Sequence, residues 1–374
     1  MRLTKIICTL GPASRSPEGL IQLLEGGMNI ARLNFSHGSH EEHIENITRL
    51  RKACEQVGST VAIMLDTKGS EIRTADVKEK IQITEGDVVL FSPNAALKTK
   101  EKLIVVDHKG FVKDAATTKV IFVDNGEMIF EVLEIQKDCV RTKAQSSGEV
   151  GSRRHVNLPS ATISLPSVTE KDWDDMTLGC KLDLDFVALS FVRCAQDIED
   201  VREFIQKKKG HMQIVAKIEN ATAVENIEEI IAASDAVMVA RGDLGSEIPF
   251  EKVPAIQDDI VARCRKAGKP VIVATHMLES MIHAPLPTRA EVTDIAHAAV
   301  TGSDCTMLSG ETASGKFPKR ALETMHRVLV ETEKARKESD VLSLENDLGV
   351  PPQAHAVSAV TMASSLEATA ILVF

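Results

Sequence analysis

Three charged residues stand at the ends of apolar segments, where ionisable side chains are unusual. Lys217 and Glu219 occur two residues apart in IVAKIEN, so both side chains lie on one face of a strand. Such charges are costly unless they are paired or bound to a metal ion. Asp243 follows the next apolar segment, between Gly242 and Gly245. Two carboxylates suit Mg²⁺, whose coordination sphere substrate oxygens and water would complete. The alternatives are a buried ion pair of Lys217 with Glu219 and a solvated turn at Asp243.

Arg32, Asn34 and Ser36 form a second polar group, in MNIARLNFSHG. Their spacing of two places all three side chains on one face of a strand. A guanidinium beside two neutral oxygen donors suits an anion together with a hard monovalent cation, although a polar strand end would show the same pattern. Thr275 ends another apolar segment, VIVAT, where a hydroxyl can relay a proton or simply cap a helix.

Two further patterns are weaker than they look. Residues 310–316, GETASGK, resemble a phosphate-binding loop, but Phe317 stands where a Mg²⁺-binding hydroxyl is required. His37, His40 and His43 are close in sequence, but only His40 and His43 share a helical face. No third ligand is evident beside them, so zinc is not predicted.

The candidate site residues lie at the ends of short segments rich in valine and isoleucine. There are eight such segments, and they alternate with amphipathic helical patterns. The segments are TKIICTL, MNIARLNFS, TVAIMLDT, DFVALSFV, QIVAKIEN, AVMVARGD, PVIVATHM and CTMLSGET. Continuous apolar segments are typical of parallel strands covered on both faces. Eight strand–helix units predict an α/β fold, a (β/α)₈ TIM barrel, with functional residues at the carboxyl ends of its strands. Capping-box spacings, Ser39 with Glu42 and Thr222 with Glu225, predict two helix starts.

The helical period disappears between residues 70 and 167, where the segments predict a small β-barrel lid domain inserted after the third barrel strand. Asp124-Asn125-Gly126 predicts a hairpin within it. The predicted domains are the catalytic barrel, 1–69 plus 168–340, the lid, 70–167, and a linker with a fragment of a C-terminal α/β domain, 341–374. That fragment offers one helix and one strand, ATAILVF, and is expected to be the start of a truncated domain because it cannot bury a core of its own.

Composition excludes several classes of protein. The 374 residues carry a net charge of −10, with 3% aromatic residues and no tyrosine, which argues against a nucleic-acid surface. No segment has the length of apolar sequence that spans a membrane, and the amino terminus lacks a signal-peptide pattern, so we expect a cytoplasmic protein. The seven cysteines form no C-x-x-C pair, which favours reduced thiols over disulfides or zinc.

Eight motifs, in order, make the chain resemble the pyruvate kinase family. They are TKIICTLGPAS, GMNIARLNFSHG, LDTKGSEIR, KIEN, VMVARGDLG, ATHMLESM, PTRAEVTDIA and MLSGETASGKFP, between Thr4 and about Arg320. The resemblance implies a phosphotransferase that moves the phosphoryl group of phosphoenolpyruvate to ADP, giving pyruvate and ATP in the last step of glycolysis. It also implies a mobile lid, a need for Mg²⁺ (with Mn²⁺ as a substitute) and K⁺, and a homo-oligomer for the full-length protein.

The resemblance also implies a role for each motif residue. Arg32 would contact the substrate phosphate, Lys217 would stabilise the phosphoryl group in transfer, and Thr275 would help a proton reach the enolate. The implied sites are Glu219 and Asp243 for Mg²⁺; Asn34, Ser36, Asp66 and the Thr67 carbonyl for K⁺; Ala240, Arg241, Gly242, Asp243 and Thr275, with Arg32 and Lys217, for the substrate; and His37 and Arg73 for the nucleotide.

Three residues bear on how closely the chain follows the family. Glu71 resembles the K⁺-dependent members, whereas a lysine there would supply the charge internally. Ser70 stands where the family usually has proline, which predicts a looser lid hinge, and His276 replaces the usual glutamine beside Thr275. Two rival functions stay open: a metal-dependent aldolase-like barrel acting on pyruvate or an enolate, and an inactive truncated chain that serves as a scaffold.

Overall fold

The computed structural model describes residues 2–335, except 125, 160 and 162, together with 351–366 and 368. Its backbone is a closed eight-stranded parallel barrel ringed by helices, with a separate β domain inserted after the third strand. The predicted fold class is therefore confirmed, while the residue boundaries of the domains stay predictions. The predicted polar linker and, apart from Ala368, the strand ATAILVF lie outside the described residues.

Sixteen strands are seen in the described part of the chain. In chain order they are β1 Lys5–Thr9, β2 Ile30–Asn34, β3 Ala62–Asp66, β4 Ile81–Ile83, β5 Val88–Ser92, β6 Lys102–Val105, β7 Val120–Val123, β8 Met128–Ile135, β9 Val140–Ala144, β10 Gly148–Val150, β11 Val156–Asn157, β12 Phe186–Leu189, β13 Gln213–Ile218, β14 Ala236–Ala240, β15 Val271–Ala274 and β16 Cys305–Leu308. The barrel has the order β1-β16-β15-β14-β13-β12-β3-β2, and it closes because β1 pairs with both β2 and β16.

Helices follow most of the barrel strands. They are α1 Pro17–Glu25, α2 His40–Val57, α3 Phe111–Asp114, α4 Glu170–Lys181, α5 Ala195–Lys207, α6 Ala221–Glu225, α7 Ile227–Ala233, α8 Arg241–Glu247, α9 Val253–Ala267, α10 Arg289–Thr301, α11 Gly310–Ala313, α12 Pro318–Ala335 and α13 Pro351–Ser365, with 3₁₀ turns at Ala115–Thr117, Phe250–Lys252 and Glu279–Ile282. No helix among the described residues is both long and apolar enough to cross a membrane.

The two predicted capping boxes had different outcomes. Ser39 and Glu42 form the expected reciprocal pair at the start of α2. The second prediction was wrong, because α6 begins earlier and Asn220 is its cap, accepting from the Ala223 N–H at 2.8 Å. Asparagine is at least as good a cap as threonine, and Asn220 precedes Thr222 in the chain.

Alternate residues of the barrel strands face inward. Those that pack together inside the barrel include Ile7, Met64, Ala188, Val215 and Met238. Their neighbours along the strands join a second core between the strands and the helices. The inward row therefore continues, at the carboxyl end of each strand, into the residues that line the barrel mouth.

The inserted domain has a core of its own. One six-stranded sheet has the order β11-β7-β8-β9-β5-β6, and β10 pairs with β4. The predicted hairpin is confirmed, since β7 and β8 pair antiparallel with Val123 opposite Met128. Phe91, Phe111 and Phe130 are fully buried at the centre of this core. The domain can therefore pack as a unit on top of the barrel.

Candidate active site

A polar cleft of about 420 Å³ opens at the carboxyl ends of the barrel strands, beneath the inserted domain. Ten of the predicted site residues line it: Arg32, Asn34, Ser36, His37, Asp66, Thr67, Arg73, Lys217, Glu219 and Asp243. Arg241 and Gly242 border a neighbouring cavity instead. The structure therefore brings the predicted cations, carboxylates and oxygen donors together, and it places the Gly242 segment at their side.

Lys217 is the centre of the cleft. Its Nζ donates to Asp66 Oδ1 at 3.0 Å and to Ser190 Oγ at 2.7 Å. Only 8% of the residue is exposed. Burial opposes the charge, but the carboxylates of Asp66 and Glu219 outweigh that effect and raise the pKa of the Lys217 ammonium. Lys217 therefore stays protonated and keeps a fixed positive charge at the bottom of the cleft.

Glu219 is a buried carboxyl, only 1% exposed. Burial raises its pKa to about 7, with Lys217 opposing the shift and Asp243 adding to it. Its Oε2 accepts from the Phe191 N–H at 2.7 Å. Its Oε1 lies 2.8 Å from Lys217 Nζ but is not aligned for a hydrogen bond, and it has no hydrogen-bond partner among the described residues. A buried carboxylate oxygen in this state is suited to a bound cation.

Asp66 joins two cations. Its Oδ2 accepts from Arg32 Nε at 2.6 Å, while its Oδ1 accepts from Lys217. Arg32 also donates from Nη1 to Thr9 Oγ1 at 2.9 Å. Burial alone would raise the pKa of Asp66, but the charges of Arg32 and Lys217 lower it. One ionised carboxylate thus holds both positive side chains against the same small volume, as an anion site requires.

The oxygen groups predicted for K⁺ lie at the β2 and β3 ends of the cleft. Asn34 Oδ1 accepts from the Ser36 N–H at 3.1 Å, which fixes the turn after β2. The Thr67 carbonyl accepts from Ser190 Oγ at 2.7 Å. Amide, hydroxyl, carbonyl and carboxylate oxygens form the kind of hard donor set that alkali cations prefer.

Thr275 is held in a strained conformation beside Gly242. Thr275 and His276 have φ of 67° and 55°, a region that is costly for a β-branched residue. Arg241 Nη2 donates to the Thr275 carbonyl at 2.6 Å and so supports this backbone. Thr275 Oγ1 donates to the Ala274 carbonyl at 2.6 Å and accepts from the Gly242 N–H at 2.7 Å. The hydroxyl is therefore fixed at the edge of the Gly242 segment, with its own proton engaged.

Arg73 and His37 stand at the rim, where the inserted domain faces the barrel. Arg73 Nε donates to Glu71 Oε2 at 2.6 Å, and its Nη1 donates to the Arg153 carbonyl at 2.7 Å. The His37 carbonyl accepts from His43 Nε2 at 2.9 Å, which fixes its loop. Both residues line the same cleft as Lys217 and Glu219.

The family model described as pyruvate kinase, barrel domain, matches residues 1–322. This chain belongs to the pyruvate kinase family. It is 46% identical over 346 residues to the pyruvate kinase of Geobacillus stearothermophilus, with 91% of this chain and 59% of that protein covered. It is 45% identical to the pyruvate kinase of Staphylococcus epidermidis strain RP62A, with 92% and 59% covered. The crystal structure of a pyruvate kinase from Cryptosporidium parvum matches with a TM-score of 0.92 and 40% identity, covering 98% of this chain and 77% of that one.

The chain spans 59% of the length of these two curated pyruvate kinases. Pyruvate kinases generally need Mg²⁺ and K⁺, and the residues here fit such cations. The observation that shows the fit for Mg²⁺ is the unsatisfied Glu219 Oε1, with Asp243 in the same cleft. Within the described residues no cluster of three His, Cys, Asp or Glu side chains could hold a metal. Glu219 and Asp243 are the residues that would hold Mg²⁺, with water and substrate oxygens as its other ligands.

Sequence reasoning missed two residues of this candidate site, Thr9 and Ser190. Thr9 holds Arg32, and Ser190 bridges Lys217 to the Thr67 carbonyl. A usable signal was present, because Thr9 and Ser190 lie two residues beyond the inward-facing Ile7 and Ala188. Extending the inward row of every strand by one step would have found them.

Proposed function

We propose that this chain transfers the phosphoryl group of phosphoenolpyruvate to ADP, giving pyruvate and ATP. The observation that carries the proposal is the convergence of Arg32, Lys217, Asp66 and Glu219, joined by contacts of 2.6–3.0 Å, at the mouth of the barrel. Phosphoryl transfer depends on positioning and on cations around the transferred group more than on a protein nucleophile. Two fixed cations beside a carboxylate pair suited to Mg²⁺ meet that demand.

The reaction breaks the bond between phosphorus and the enol oxygen and forms a bond to a β-phosphate oxygen of ADP. In this proposal Arg32 binds the phosphate of phosphoenolpyruvate, and Lys217 accompanies the phosphoryl group as a compact charge on a flexible stem. The enolate then takes a proton at its methylene carbon. Thr275, fixed against Gly242, is proposed to help that proton arrive.

The cation sites follow the same geometry. Glu219 and Asp243 would hold Mg²⁺, which when bound offsets the negative charge of the phosphate oxygens. The oxygens proposed for K⁺ are those of Asn34, Ser36, Asp66 and the Thr67 carbonyl. The backbone from Ala240 to Asp243 would bind the pyruvate part, and His37 with Arg73 would face the nucleotide phosphates. Lid closure over these groups would exclude water and limit hydrolysis.

Pyruvate release from phosphoenolpyruvate that depends on ADP tests the proposal. Lys217→Met should lower kcat by about 10²–10³-fold, the usual effect of removing one transition-state cation or donor. Lys181→Met, at an exposed lysine on α4, is the matched control and should keep full activity. Pyruvate release from a hydroxy-keto acid by carbon–carbon cleavage, with no phosphoenolpyruvate or ADP present, would favour the aldolase-like reaction. A folded chain without either turnover would favour the scaffold role.

The localisation, binding partners and oligomeric state also stay predictions. We expect a cytoplasmic protein whose partners are phosphoenolpyruvate or pyruvate and ADP or ATP, with no nucleic acid and no membrane. The net charge of −10 makes the local cations Arg32, Arg73 and Lys217 decisive for binding anionic substrates. A homo-oligomer is expected for a chain that spans the whole length of the matched relatives.

A further inference from the structure

A hydrogen bond joins the inserted domain to the helix that carries Asp243. Asn157, the last residue of β11, donates from Nδ2 to Glu247 Oε1 at 2.8 Å. Glu247 is the last residue of α8, and Asp243 lies in the first turn of the same helix. Residues four apart lie on one face of a helix, so the lid contact and the proposed Mg²⁺ ligand share a face of α8.

One partner of this bond, Asn157, is buried, and the other, Glu247, is half-buried. Asn157 is 2% exposed, and its Oδ1 has no hydrogen-bond partner among the described residues. Burial raises the pKa of Glu247 to about 7, although the Asn157 hydrogen bond acts in the opposite direction. Glu247 makes no ion pair with any residue in the described part of the chain. Burying such groups is unfavourable, so a purely packing role would be better filled by apolar side chains.

The surrounding interface is loosely packed. A cavity of about 200 Å³ separates the lid from the barrel beside this bond. Its lid wall includes the apolar residues Leu158 and Ile163, and its barrel wall includes Asn220 and Thr222. Packing would therefore replace little of the interaction if the hydrogen bond broke.

We propose that Asn157 and Glu247 are positioning residues that couple closure of the lid to the placement of Asp243. Helix α8, which carries both Asp243 and Glu247, has seven residues and is too short to be stable without tertiary contacts. Seating β11 on the barrel tethers the last turn of α8 and so orders its first turn. When the lid lifts, the tether is lost and the metal ligand loosens. The coupling rests on the proposed function only in treating Asp243 as the Mg²⁺ ligand.

Hydrogen–deuterium exchange of the whole chain tests the coupling without any need for turnover. Asn157→Ala and Glu247→Ala should each speed exchange about tenfold in both segments, 150–157 and 241–247, since the hydrogen bond between these two side chains is lost. The double variant should exchange no faster than either single one, because one interaction has been removed. Glu247→Gln should restore slow exchange, because its amide oxygen still accepts from Asn157. Glu225→Ala removes an exposed carboxylate from the same cavity and is the matched control.

A kinetic readout separates positioning from simple stability. Both alanine variants should raise the Mg²⁺ concentration for half-maximal activity about tenfold, by the same loss of one hydrogen bond, with a smaller change in kcat. Faster exchange in only one of the two segments, additive effects in the double variant, or alanine variants equal to Glu225→Ala would overturn the proposal. If the chain shows no turnover, the proposed function fails, but the exchange results still decide whether the lid and α8 are coupled.

Discussion

Mg²⁺ binding is expected to release a proton from Glu219. Because burial raises the pKa of this carboxyl to about 7, part of the metal-free population carries a proton there near neutral pH. A cation at the unsatisfied Oε1 favours the ionised form. More protons should therefore leave per Mg²⁺ bound at pH 6 than at pH 8.

Titration calorimetry measures this release. Mg²⁺ is titrated at each pH in two buffers of different ionisation enthalpy, and the difference in observed enthalpy gives the number of protons. Glu219→Gln should abolish the buffer dependence, while Glu199→Gln, at an exposed glutamate on α5, should keep it. Enthalpies that are independent of buffer between pH 6 and 8 in the unaltered chain would refute the reasoning. So would an unchanged proton count in Glu219→Gln.

Three further predictions concern the K⁺ requirement, the hinge and the lid core. Turnover should fall when sodium replaces potassium, because Glu71 cannot supply an internal cation; Glu71→Lys should reduce the difference, and equal rates in both salts would contradict this. Ser70→Pro should alter KM, because proline fixes φ and removes the hydroxyl that donates to the Pro166 carbonyl; identical kinetics would count against a hinge role. Phe91→Ala should destabilise the inserted domain by about 3–5 kcal/mol, because Phe91 is fully buried. Denaturant-dependent exchange of lid peptides measures that change, and the exposed Leu133→Ala should show little effect.

The barrel could be predicted because buried parallel strands leave a strong sequence pattern. Segments such as AVMVA are apolar on both faces, and β14 is buried throughout. Lys217 and Glu219 interrupt one of these segments, so their cost in a buried strand marked them as functional. The hairpin between β7 and β8 was likewise encoded locally, in its turn residues.

The features that sequence reasoning missed depend on distant parts of the chain. Ser190 contacts Lys217 only because β12 and β13 pair in one register. The Thr275 carbonyl, in a residue with positive φ, accepts a hydrogen bond from Arg241, thirty-four residues earlier. The contact between Asn157 and Glu247 spans ninety residues and joins two domains. Such contacts are set by tertiary packing, which local spacing does not report.

Pairing of β1 with β16 has a consequence for how the chain is made. Lys5 lies opposite Cys305, so a ribosome must deliver about three hundred residues before the ring can shut. The inserted sheets draw all their strands from 81–157 and can finish while the ring is still open. The nascent chain would then carry a folded inserted domain beside an incomplete barrel, and the unpaired edge of β1 would need protection until β16 arrives.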